Sequence, residues 1–126
     1  MSRSNTVLVI ESEPWLGDHY QRQLEADDFT VVRATNALVA IDIIDETPPV
    51  AIVMSMLLDG PGAFNLLHEL QSYRDTASIP IITCSKTSDL EIEELRPYGV
   101  TRIIDSTTME LNDVVFAVRS TLAEKI

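Results

Sequence analysis

Short apolar runs alternate five times with segments whose apolar residues recur at helical spacing. The β-type runs are Thr6 to Ile10, Thr30 to Arg33, Val50 to Met54, Ile79 to Thr83 and Thr101 to Ile104. The first, third and fourth are almost unbroken in Val, Ile, Leu and Met, the pattern of parallel strands covered on both faces. The first helix is predicted to start at Pro14, which a first helical turn tolerates, and carries Trp15, Leu16, His19, Tyr20 and Leu24. The second, near Ala37 to Asp45, shows Leu38, Ile41 and Ile44, and the third, Ala63 to Tyr73, shows Phe64, Leu66, Leu67 and Leu70. The fourth lies near Asp89 to Arg96 with Leu90, Ile92 and Leu95, and the fifth near Leu111 to Glu124 with Leu111, Val114, Val115, Val118 and Leu122. This alternation predicts an α/β fold: a right-handed, doubly wound, five-stranded parallel sheet of flavodoxin-like type, sandwiched between helices. A functional crevice is then expected at the carboxyl ends of the first, third, fourth and fifth strands.

Composition narrows the picture. The 126 residues, 45% of them hydrophobic, suffice for one core, so residues 1–126 are read as a single domain. Nine basic residues stand against 20 acidic ones, a net charge of -11 that repels nucleic acid and anionic membrane. Cys84 lies inside an apolar run and is read as a buried small hydrophobe, and a chain with one cysteine forms no internal disulfide. The start, Met1 to Thr6, lacks the apolar core of a signal peptide, and no apolar stretch approaches the ~20 residues of a membrane span. A cytoplasmic protein is the expectation.

Ser55 ends the run Val50 to Met54 and is followed by a loop containing Asp59-Gly60-Pro61-Gly62, then by the third helix. The glycines have turn composition, and no phosphate-loop lysine or dinucleotide fingerprint follows them. The strand, loop and helix resemble the corresponding part of a response-regulator receiver domain of the CheY-like type, and the resemblance extends over essentially the whole chain. It places the phosphoacceptor aspartate of that family at Ser55. After the first strand the family has an acidic pair that holds Mg²⁺, and here Glu11 keeps the first acid while Ser12 replaces the second. After the fourth strand the family's hydroxyl survives as Ser85, but its small neighbour is Lys86. After the fifth strand an aromatic, a lysine and a proline are expected, and Ile103, Ser106 and Thr107 stand there.

Phosphoryl transfer needs an in-line nucleophile, a metal and groups that neutralise developing charge, and the substitutions weaken all three. Glu11 is nearly alone as an oxygen anion, so no Mg²⁺ site, cofactor or catalytic residue is expected. A hydrolase built on Ser55 lacks a base, since His19 and His68 lie on helices. Lys86 either points into solvent or fills the vacated pocket against Glu11. The resemblance then implies a degenerate, non-enzymatic receiver that works as a protein interaction module. Its partner would be a histidine kinase, another signalling protein or a second copy in a homodimer. The implied interaction face combines the fourth helix, fifth strand and fifth helix, with Leu90, Glu94, Arg102, Ile103, Asp113 and Arg119 as its candidate residues. Pairs between Arg102 or Arg119 and Asp89, Glu93 or Asp113 could form across a dimer, each contributing only ~0 to 1 kcal/mol. Two alternatives are a receiver phosphorylated at an unusual site and a flavodoxin-like ligand-binding or enzymatic domain.

Overall fold

In the computed structural model, residues 5–56, 62–85, 91–105 and 112–124 are described. The strands are β1 (Thr6–Ile10), β2 (Thr30–Ala34), β3 (Ala51–Ser55), β4 (Ile81–Ser85) and β5 (Val100–Asp105). They form one parallel sheet in the order β2-β1-β3-β4-β5. The helices are α1 (Pro14–Ala26), α2 (Ala37–Glu46), α3 (Ala63–Gln71), α4 (Arg74–Ala77), α5 (Ile92–Leu95) and α6 (Asp113–Glu124), with a 3₁₀ turn at Arg96–Tyr98. None of the described helices is long and apolar enough to cross a membrane.

Strand side chains alternate between the two faces of a sheet, so an unbroken apolar strand feeds two cores at once. Leu8 and Ile10 of β1 join Ile52, Met54, Leu66 and Leu67 under α2, α3 and α5. Val7 and Val9 join Val53, Ile82, Leu24 and Val118 under α1 and α6. The two clusters are the inner faces of a three-layer sandwich, as the alternating pattern predicts.

The helices differ in detail from the sequence expectation. Leu38 is 69% exposed, because α2 lays its Ala37, Ala40 and Ile44 stripe on the sheet. Small alanines let the helix axis come close; of the expected stripe, Ile44 is buried and Ile41 packs against the core, while Leu38 is turned outward. The Asn36 side chain caps this helix by accepting from the Val39 N–H at 3.0 Å. Phe64 is likewise exposed, while Ala63, Leu66, Leu67 and Leu70 are buried. The third helix stops at Gln71, where Ser72 donates its hydroxyl to the His68 carbonyl at 2.8 Å, and a separate turn, α4, follows. Among the described residues of the region expected for the fourth helix, Ile92–Leu95 are α-helical and the 3₁₀ turn containing Pro97 follows. Gly99 ends that turn at φ 88°, a left-handed conformation natural to glycine, and an added Cβ there would lie 2.8 Å from the Gln71 amide nitrogen.

Strand β4 begins two residues later than expected, after Pro80, and ends at Ser85. The register between β4 and β5 slips by one residue: Ile81 pairs with Val100, but Ile82 pairs with Arg102. The extra residue, Thr101, bonds the Thr121 hydroxyl at 3.0 Å, and Arg102 pairs with Glu124 at 2.7 Å. Both consecutive residues of β5 therefore reach α6, and Ile103 turns back to the core on the other face.

Candidate functional site

The carboxyl edge of the sheet brings together the residues expected there. Glu11 follows β1 with only 3% exposure, its N–H donating to the Ala34 carbonyl at 3.0 Å and its Oε2 accepting from the Glu13 N–H at 3.1 Å. A carboxylate that accepts a backbone N–H is held just ahead of α1, and Ser12 beside it is half-buried. Ser55 is the buried last residue of β3, in register with Cys84. Ser85 is the buried last residue of β4, in register with Asp105 of β5. The pairing of β3 with β4 continues one step past Ser55, where the Met56 N–H donates to the Cys84 carbonyl at 3.1 Å. Two hydroxyls and one carboxylate thus stand at three neighbouring strand ends. Lys86, Ser106 and Leu90 fall outside the described residues.

Beneath this edge, on the α1 side, lie two buried titratable groups. Tyr20 and Cys84 are 1% and 3% exposed. Burial pushes the Cys84 thiol up to about 12, the neighbouring Tyr20 phenol works against that rise, and the Glu11 charge adds to it. The Tyr20 phenol is also pushed far above its usual range, first by burial and then by Cys84 and Glu11. The Cys84 thiol beside it is a weak hydrogen-bonding partner, and no hydrogen bond of normal geometry satisfies the Tyr20 hydroxyl among the described residues. A buried donor left unpaired costs about 1 to 3 kcal/mol. Tyr20→Phe is therefore expected to raise stability by about 1 kcal/mol, measured as a higher denaturant midpoint at unchanged slope. A lower midpoint would mean that the hydroxyl finds a partner in solution.

The two histidines sit in aromatic contacts: His19 against Tyr20 at 5.9 Å between ring centroids, and His68 edge-on to Tyr98 at 4.9 Å. The expected interaction face is only partly assembled as drawn from sequence. Ile103 packs against the core, and Glu94 and Asp113 are exposed on α5 and α6. Arg102 is joined within the chain to Glu124, and Arg119 is joined to Asp27 just after α1. Arg119 thus lies on the α1 side of α6, where it ties two helices together, and both arginines are engaged internally. The reason is helical phase: positions 113 and 117 turn toward β5, while position 119 turns toward the neighbouring helix. Sequence reading missed Asp105, whose only signal was its place at the end of a short apolar run, and Tyr20, which gave no sign beyond helical spacing.

A five-stranded parallel sheet in the order 2-1-3-4-5 with helices on both faces is the CheY-like flavodoxin fold. Solved structures agree. A CheY-like receiver domain protein from Methanospirillum hungatei superposes with a TM-score of 0.84 at 16% identity, covering 97% of this chain and 96% of that one. The signal receiver domain of a histidine kinase from Syntrophus aciditrophicus gives 0.83 at 20% identity, over 94% and 90% of the two chains. The receiver domain of a sensor histidine kinase from Pseudomonas aeruginosa, solved with a magnesium ion in its active-site cleft, gives 0.83 at 13% identity, over 96% and 99%. At these identities the likeness is one of fold. No family model matches the sequence, and no curated protein does.

Proposed function

We propose that the chain is a receiver-fold module of two-component signalling that works through protein association, without an aspartyl phosphorylation cycle. The observation that carries this reading is Ser55, buried at the end of β3 where the receiver pattern calls for the phosphoacceptor carboxylate. The donor set does not fit Mg²⁺. That ion takes a compact octahedron of oxygens with one or two carboxylates, whereas the two carboxylates at these strand ends, Glu11 and Asp105, are separated by β3 and β4, and Glu11, already accepting a backbone N–H, has the hydroxyls of Ser12 and Ser55 as its neighbours. Neither a metal nor a general base supports phosphoryl transfer here, and the module is non-enzymatic and cytoplasmic. The apolar strands fold without the missing acids, because the sandwich rests on the two cores.

The partner is a histidine kinase, another signalling protein or a second copy, meeting the face made by α5, β5 and α6. A groove of about 470 Å³ on that face supports this placement. It is lined by Ile92, Ile103 and Phe116, and Phe116 is 70% exposed. Arg96, Asp105 and Asp113 supply charge of both signs around it.

Incubation with Mg²⁺ and acetyl phosphate tests the reading. Intact mass is expected to stay unchanged, and Ser55→Asp alone is expected to remain unmodified, because groups that share one transition state act as a unit. A stoichiometric phosphoryl adduct that disappears in Ser55→Ala would establish phosphorylation at an unusual site instead.

A further inference from the structure

At the opposite end of the sheet, α2 and the corner between α3 and α4 enclose an open groove of about 370 Å³. It belongs to the amino ends of the strands, because α2 ends at Glu46 before β3 begins and α3 ends at Gln71 before β4 begins. Its floor is apolar, made by the half-buried Ile41 and the buried Leu70. Tyr73 stands beside the floor with 59% of its surface exposed. Asp45, Glu69 and Asp75 form an exposed rim, and among the described residues no lysine or arginine lines the groove, the exposed Arg74 lying in sequence between Tyr73 and Asp75 but outside the lining.

An aliphatic floor, an open aromatic face and a carboxylate rim match one kind of side chain. A lysine or arginine lays its methylene stem on the floor, sets its cation near the tyrosine ring and places its head among the carboxylates. Acidic segments are repelled by the rim, and neutral apolar ones leave it without counter-charge. The groove is open along one side, so its occupant is a side chain presented by a larger body. The net charge of -11 steers such a body toward the domain from a distance. We propose that this groove docks a basic, aliphatic-rich segment of a partner protein. The site is separate from the crevice and from the face of α5, β5 and α6, so it stands whether or not the chain is phosphorylated.

Amide chemical shifts of the full chain, followed during titration with the peptide acetyl-Leu-Arg-Leu-Lys-amide, test the proposal. Saturable shifts are expected at Ile41, Asp45, Glu69 and Tyr73, with affinity falling as salt rises. Asp45→Asn and Glu69→Gln should each weaken binding about two- to fivefold, as exposed ion pairs do. Tyr73→Ala should weaken it by a similar factor through loss of the cation–π contact, about two- to fivefold at an exposed site. Glu25→Gln on α1 removes one charge far along the chain and should leave the affinity unchanged. The proposal is overturned if shifts spread over the acidic surface at large, if Glu25→Gln weakens binding as much as Glu69→Gln, or if acetyl-Leu-Gln-Leu-Gln-amide binds equally well.

Discussion

Leu67→Ala is expected to lower the unfolding free energy by about 3 kcal/mol, within the ~2 to 5 kcal/mol of large-to-small core substitutions. Leu67 is fully buried in α3, packed in the cluster that joins α2, α3 and α5 to the sheet. The loss combines the forfeited burial of the three deleted carbons with the cavity left behind. In a domain of this size it should lower the melting temperature by about 10 °C. Leu38→Ala makes the same chemical change on α2 and should shift stability by less than about 0.5 kcal/mol, since Leu38 lies mostly in solvent. Paired denaturant titrations read both, and similar losses for the two variants would show that α2 does not present its alanine stripe to the sheet.

A second large effect is expected at alkaline pH. An unfolded Cys84 thiol loses its proton near 9.0, whereas the folded one keeps it until about 12. Above pH 9 the unfolded state therefore binds fewer protons than the folded state, and stability falls by up to about 1.4 kcal/mol per pH unit until the folded thiol ionises. Below pH 9 this contribution is fully present. Tyr20 adds a further loss above pH 10, because its phenol is also raised. Between pH 9 and 11 the thiol alone should remove roughly 2 to 3 kcal/mol. Urea midpoints at pH 8, 9.5 and 11 should fall steeply in the natural chain, less in Cys84→Ala, and least in Cys84→Ala combined with Tyr20→Phe. Parallel pH profiles for all three would place the cause elsewhere.

The strand order and the two-faced core were legible because Val, Ile, Leu and Met run unbroken through β1, β3 and β4, leaving few other arrangements. The position of Ser55 was legible for the same reason, since the end of an apolar run marks the end of a buried strand. Helix phase was not. In α2, stripes beginning at Ala37 and at Leu38 both have helical spacing, and the choice depends on how closely the axis approaches the sheet, which no local pattern encodes. The pairing of Arg119 with Asp27 was equally hidden, because it joins residues 92 apart in sequence. The slip between β4 and β5 left only a weak trace, as Val100-Thr101-Arg102-Ile103 does not alternate, and sequence alone offered no reason to prefer a slip to a shorter strand.

That slip bears on how copies of this chain can meet. A parallel sheet of five strands has two open edges, β2 and β5, each a row of backbone groups able to template another strand. Strand β5 departs from regular pairing at Thr101, and Arg102, held by Glu124, stands at the irregularity. Strand β2 carries Arg33, folded over Gly17 of α1 and pinned by Asp18 at 2.7 Å. An added Cβ at Gly17 would come within 2.3 Å of that guanidinium, so the glycine is what lets the arginine lie down there. With a charged side chain anchored at each border, a continuous sheet running across molecules is disfavoured.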